Sequence, residues 1–546
     1  MYRATLPTPD PTPSRLLAGT NVGSLDSSKA RLRTVLGTFA TVGVGAGIMM
    51  VLAIINGSPF IFWDSALYLG LGELLTAHDP SAAITTVLST PDLSHAVVSQ
   101  AQRAALLARA ASHLGARSVL YSVYVATLSK YSMWIAAAGQ CLFVAACLWG
   151  ALRLIWSQAL RWWNYLALVT ALTVLTSLSI ETPILMPDAF TAPMILLIAA
   201  LFSSREVDWR VQAGIAACVA VCVMAHLSHG PIAILAALVA AAIVRLLARG
   251  EQTSVYKRNL AWIAGAVIAA LSINAAVGAY ADTKIGWHLQ KPPFLTARVI
   301  DDGSGAEYLI HDCRDARYVV CRYTDRILSN SGNSMIWAIS SQFGGVYLVE
   351  DPDVAATMRQ QNLAFVRDAI TEHPFRQMRG SIRNVVRVMR SINVDDPGSG
   401  MDFRFADYQN LGFGWIGTPI LLGRLPNASS CSANTHAICG RIPLAKLRIL
   451  HYPVILFSVI VLLRQAWIFI ASNGIDLRKL DRVETFALCV MAGILANDII
   501  CGVLAGPYER FQVRVVWLIP ALALCALIYS PEKLRLAGRK GHRKIA

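Results

Sequence analysis

In Phe62-Trp63-Asp64-Ser65-Ala66-Leu67-Tyr68 a carboxylate flanked by aromatics lies just beyond the first long apolar run of the chain. A carboxylate where a span leaves the bilayer meets lipid and water together. It can take a proton from a molecule whose tail stays in the membrane. Aspartate is costly in hydrocarbon and is kept near it with a partner or a task. Asp64 can equally cap a helix that starts at Ser65, because Asp is a favoured N-cap. The two roles are compatible.

Other polar groups sit at the ends of apolar runs on the same side. Glu181 and Asp188 bracket Thr182-Pro183-Ile184-Leu185-Met186-Pro187, and His226 and His229 flank a turn before Gly230-Pro231. Asn497 and Asp498 fall within a run, and Tyr508-Glu509-Arg510 with Arg514 opens the last one. Ionisable groups at membrane depth face a water-filled cavity or one another. Two histidines three apart can hold a metal, yet no carboxylate lies near them in sequence. Packing, or an ion pair such as Asp498 with Arg514, accounts for each residue singly; their shared side is the stronger signal. Arg117, with Tyr121 and Tyr124 beyond it, is either a phosphate or sugar contact or an interfacial anchor.

The elements that position these residues follow from composition. Of 546 residues 55% are hydrophobic and only 15% charged, against roughly 25% charged in soluble domains. The apolar residues gather in runs of about 17 to 25, enough to cross about 30 Å of hydrocarbon as helix. The expected class is an all-α polytopic membrane protein of about ten transmembrane helices. They are Thr34–Asn56, Met133–Trp156, Tyr165–Glu181, Pro183–Phe202, Val211–His226, Pro231–Leu247, Leu260–Tyr280, Leu450–Ala471, Phe486–Gly506 and Val513–Tyr529. The third and fourth are separated by Thr182 alone and read as a tight hairpin. The polar, proline-bearing start lacks the pattern of a cleavable signal, so the first run is expected to stay as an anchor.

Every second short connection is basic: Lys29 to Arg33, Arg153 and Arg161, Arg205 and Arg210, Arg245 to Arg258, and Arg478 to Arg482. That alternation marks cytoplasmic loops. Residues 1–33 and the basic tail 530–546 are then cytoplasmic, with spans at 34–56, 131–280 and 450–529. The two long connections, 57–130 and 281–449, face the periplasm of a bacterial inner membrane. The net charge of +15 follows from this topology and from membrane-surface attraction, not from nucleic-acid binding. Seven of the eleven cysteines lie in apolar runs, and the other four form two close pairs in the second loop, Cys313 with Cys321 and Cys431 with Cys439. Disulfides persist in oxidising compartments, so two local disulfides are expected; free thiols are one alternative and metal binding another, the latter without CxxC spacing to support it.

Within the second loop Pro374 opens a helix with two adjoining stripes. Phe375, Met378, Ile382, Val385, Val386 and Met389 recur at helical spacing, and Arg376, Arg379, Arg383, Arg387 and Arg390 share an arc of about 80° beside them. Such a helix lies in the interface with its arginines on acidic headgroups. Alternatively Arg383 and Arg387 hold the phosphate of a lipid-linked substrate, because guanidinium pairs with phosphate bidentately. Val354, Met358, Phe365, Val366 and Ile370 read as a second amphipathic helix beside it.

This pattern resembles the GT-C class of membrane glycosyltransferases, and within it the lipid A aminoarabinose transferases. The shared features are a many-span bundle, an acidic residue in a long first external loop, and a large external loop after span seven. The stretch from Phe294 through Cys321 is similar to bacterial membrane proteins and adds no chemistry. The resemblance implies transfer of a sugar from a polyprenyl-phosphate carrier to a lipid or glycan acceptor, with Asp64 as general base. Tyr68, Arg117, Glu181, Asp188, His226, His229, Arg383, Arg387 and Arg510 become the candidate substrate contacts. A divalent cation is the one cofactor it implies. Asp64 departs from the family's paired acidic motif: the next carboxylate, Glu73, is nine residues on. The alternatives are an O-antigen polymerase or ligase, using loop arginines with His226 or His229, and a transporter. A transporter tends to show repeated halves, which this chain lacks.

Overall fold

The computed structural model describes residues 22–79, 114–156, 160–204, 206–247, 253–286, 288–313, 317–338, 340–392, 420–421, 424 and 444–529. Among them the regular structure is entirely helical. Six helices are long and apolar enough to cross a membrane: Met133–Trp156, His229–Leu247, Val255–Ile285, Ile449–Asn473, Arg482–Ala505 and Arg510–Ile528. The remaining four expected spans are shorter apolar helices, at Arg33–Met49, Trp162–Leu175, Pro187–Ser203 and Trp209–Ala225.

The expected hairpin about Thr182 is not formed. Trp162–Leu175 ends early, a single turn follows at Leu178–Glu181, and Thr191–Ser203 begins only after a 3-10 turn at Pro187–Phe190. Hydroxyls at the break compete for the backbone: Thr176 Oγ1 donates to Leu172 O at 2.6 Å and Ser179 Oγ to Thr173 O at 2.7 Å. Pro183 and Pro187 add no N–H to a helical ladder.

Every residue from 176 to 204 is buried, so this irregular backbone must be satisfied by protein. Gln140 Nε2 donates to Thr182 O at 3.1 Å and to Ile184 O at 2.6 Å. Its Oε1 is held by the Tyr121 hydroxyl at 2.6 Å. Ser65 Oγ donates to Leu185 O at 2.9 Å, Leu185 N to Phe60 O at 3.0 Å, and Ser177 Oγ to Val513 O at 2.9 Å. The broken segment thus joins Met133–Trp156, Trp63–Thr76 and the last helices at one end of the bundle. At the other end the Arg482 guanidinium bonds Leu154 O and Ser204 Oγ, tying together three helix ends.

Residues 294–372 form a small helical subdomain with its own core. Tyr308, Tyr318 and Phe365 stack edge to face at centroid distances of 5.4 to 6.0 Å. The helix Pro352–Glu372 turns Met358 and Phe365 into that core, as its periodicity predicts. Cys313 and Cys321 are disulfide-bonded, as expected, with 5.5 Å between their Cα atoms. Cys431 and Cys439 lie outside the described residues. The Pro374–Arg390 helix then leads from the subdomain back to the bundle, where Val388 joins the bundle core.

Gln140→Leu should leave Thr182 O and the Tyr121 hydroxyl unpaired, at about 1–3 kcal/mol each. Thermal unfolding of the detergent-solubilised protein should show the loss, and an unchanged midpoint would mean that Gln140 does not support the break.

Candidate functional site

A cavity of about 650 Å³ opens at the end of the bundle beneath the 294–337 segment. Its size is that of an ordinary ligand site. Four candidate residues reach it: Asp64, Arg117, His226 and Arg510. Phe62, Leu67, Phe294, Ile336, Trp337 and Leu504 supply apolar wall, and Arg298, Asp301, Asn333 and Tyr508 supply further polar groups.

Asp64 is not the cap of its helix. The helix starts at Trp63, and the Phe62 N–H at its mouth donates to Ser65 Oγ at 2.9 Å. Asp64 therefore stands in the first turn with its carboxylate directed elsewhere, and two arginines hold it. Arg117 Nη2 donates to Oδ1 at 2.6 Å and Arg510 Nη1 to Oδ2 at 3.2 Å. Both guanidinium groups rest on aromatic faces, a favourable cation–π arrangement. Arg117 lies 5.7 Å from the Trp337 ring and 5.8 Å from Tyr68, and Arg510 lies 4.7 Å from Phe62 and 5.1 Å from Phe511. The Arg117 Nε is buried and has no hydrogen-bond partner among the described residues.

Several expected contacts lie behind the cavity wall. Tyr68 is buried against Tyr121, ring to ring at 5.0 Å. His229 is fixed in the core, with Nε2 at 2.7 Å from Thr191 Oγ1 and Nδ1 at 2.6 Å from Cys222 O. Only His226 of that pair faces the cavity, its Nδ1 at 2.8 Å from Ser228 Oγ. Glu181 and Asp188 are buried too, and neither lines the cavity. Asp188, rather than Asp498, is the partner of Arg514: Nη1 donates to Oδ1 at 2.7 Å, with the side chains 0% and 4% exposed. Arg514 also donates to Asn497 Oδ1 at 2.9 Å, and Asn497 Nδ2 in turn bonds Asp498 at 3.1 Å. Arg383 and Arg387 are exposed on the far side of their helix and do not reach the cavity.

Sequence reasoning missed the contribution of the subdomain. Asp301 accepts from Gly332 N at 2.7 Å and Asn333 N at 3.1 Å, so it caps the Gly332–Trp337 helix. Burial raises its carboxyl above the usual aspartate range, although those two N–H groups and Arg298 pull it back down. Tyr508 donates to Asn333 Oδ1 at 2.7 Å, which docks the subdomain onto the bundle across the cavity. Arg298 pairs with Asp302 four residues on; that spacing was readable in the sequence, whereas Asp301 capping a helix 31 residues away was not.

The residues present do not fit a divalent cation. Each Asp64 oxygen already accepts from a guanidinium, Glu73 is paired with Arg424 at 2.6 Å, and among the described residues no three His, Cys, Asp or Glu side chains converge. The positive charge facing the cavity is guanidinium. Fold and site together define a helical membrane protein with a charged cavity at one end of its bundle. No protein-family model, curated protein or solved structure matches this chain.

Removing one partner of a buried ion pair costs about 3–5 kcal/mol, so Arg514→Leu should unfold far more readily than the parent. Adding Asp188→Asn should restore part of that loss, because the stranded charge is gone. Additive losses in thermal unfolding would show that the two residues are not coupled.

Proposed function

We propose that this protein is a GT-C-like integral membrane glycosyltransferase with ten spans and both termini cytoplasmic. It moves a sugar from a polyprenyl-phosphate carrier to a lipid or glycan acceptor on the periplasmic side of the inner membrane. The observation that carries this reading is Asp64 clamped between Arg117 and Arg510 on the wall of a mostly apolar cavity with charged groups set into it.

The chemistry balances with protein groups alone. The acceptor hydroxyl oxygen attacks the anomeric carbon, the bond from that carbon to the phosphate oxygen breaks, and the electron pair leaves with the polyprenyl phosphate. The hydroxyl proton passes to the Asp64 carboxylate. Arg117 and Arg510 stabilise the charge that gathers on the departing phosphate. At rest the same two arginines occupy Asp64, so an arriving phosphate competes for them and releases the carboxylate to act as base. The apolar side of the cavity, Phe294, Ile336, Trp337 and Leu504, suits the first isoprene units of the carrier.

Asp64→Asn keeps the size of the side chain and removes the proton acceptor. It should lower turnover by about 100- to 10,000-fold while the protein stays monodisperse in detergent. Arg510→Lys keeps the charge but not the fork geometry and should weaken donor use more than acceptor use. The assay is mass spectrometry of envelope lipids and glycans from cells with and without the protein, followed by product formation on polyprenyl-phosphate sugars. Full activity of Asp64→Asn would overturn the mechanism. Its retention together with loss in His226→Ala would favour the ligase-like alternative.

A further inference from the structure

The Pro374–Arg390 helix packs on the protein with a stripe that is neither of the two its sequence displays. Gly380, Asn384 and Val388, each four residues apart, form its buried side. A Cβ at Gly380 would stand 2.1 Å from Asp302 O, so the helix can seat there only with glycine. Asn384 Nδ2 and Gln377 Nε2 each donate to the Asp302 carboxylate at 2.6 Å. Further along, the Val385 backbone lies against the Cys501–Ala505 turn, where a Cβ on Gly502 would meet Val385 Cα at 2.8 Å. This narrow polar seam leaves the apolar stripe uncovered: Phe375 is 79% exposed and Ile382 58%. The five arginines beside it are exposed as well. Arg376 pairs with Glu307 at 2.9 Å, and the other four form no ion pair among the described residues.

We propose that this face is seated on the membrane surface, with Phe375, Met378 and Ile382 at the edge of the hydrocarbon and Arg379, Arg383 and Arg387 on the phosphates of acidic lipid headgroups. The position of the helix selects lipid over a protein partner. Its C-terminal half lies against the turn in which the apolar helix beginning at Arg482 ends, the level at which that span leaves the hydrocarbon. An apolar stripe at this depth, flanked by cations, has the amphipathic form of an interfacial helix. Its charge complements an anionic leaflet, where each arginine contributes on the order of fivefold to association. The seat also reaches the cavity: Asp302, which anchors the helix, pairs with Arg298 on the cavity wall. Asp302 is thus shared between the seat of the helix and the wall of the cavity. This inference does not depend on the transferase reading.

The test uses the full chain reconstituted in vesicles. A polarity-sensitive fluorophore is attached at Ile382→Cys, and quenching by doxyl-labelled lipid is measured in phosphatidylcholine with and without phosphatidylglycerol. The parent without the added cysteine gives the labelling background. The expected result is blue-shifted, quenched emission that is quenched further by phosphatidylglycerol. That gain should be lost on adding Arg379→Gln, Arg383→Gln and Arg387→Gln, and lost again in high salt. Absence of quenching in both lipids would overturn the seat itself, because the face would then be in water or under protein. Equal quenching in both lipids, or a gain that survives the arginine substitutions, would overturn the headgroup contact.

Discussion

Backbone that leaves the helix inside a membrane protein must find every one of its hydrogen bonds within the protein, and the buried break between Leu175 and Thr191 imposes that constraint on this fold. Gln140, Ser65 and Tyr121 come from three neighbouring segments and each meets the break or orients a group that does, while Ser177 within the break donates outward to Val513 O. Ser65 does so from the residue next to Asp64. The turn that presents the carboxylate to the cavity is therefore fixed by the same bond that satisfies Leu185. A polar site at this end of the bundle and an unwound segment behind it are one construction.

Charge is arranged in two layers behind one another. In the outer layer Asp64 lies between Arg117 and Arg510 beside the cavity; in the inner one Asp188 and Arg514 are sealed from it. Arg510 and Arg514 stand one turn apart on the same helix, so they project along one face and serve both layers. A buried ion pair is at best weak evidence for stability. Here the inner pair has a positional consequence: holding Arg514 fixes the rotation of the helix that carries Arg510. The outer layer is the one that incoming anions can reach.

Long uninterrupted periodicity was legible. Met133–Trp156 is found as expected, and the arginine helix begins at Pro374, where proline has no N–H to lose. The local cysteine pair at 313 and 321 was also readable, because a bond between residues so near in sequence needs no knowledge of the fold. The break at Thr176 was hidden, since Thr, Ser and the flanking apolar residues also occur in spanning helices. The partner of Arg514 was hidden for another reason: Asp498 is near in sequence, whereas Asp188 is near only in space. His226 and His229 look equivalent in a string, and the tight turn between two helices sends one to the cavity and the other to the core. The face on which the arginine helix packs was misleading as well. Its obvious stripe is apolar, whereas its seat is built from glycine, asparagine and glutamine around one aspartate.

The separation of these charges along the chain sets a clock on assembly. Asp64 is made 446 residues before Arg510, and Asp188 is made 326 before Arg514. At synthesis rates of roughly 5–20 residues per second, the first interval lasts roughly 20 to 90 s. Throughout that time the early helices are present while the arginines that complete their carboxylates do not yet exist. Asp188 cannot settle into its sealed position until the last span arrives. The two carboxylates gain their last partners only when the final helices arrive, so those helices act as the latch of the site.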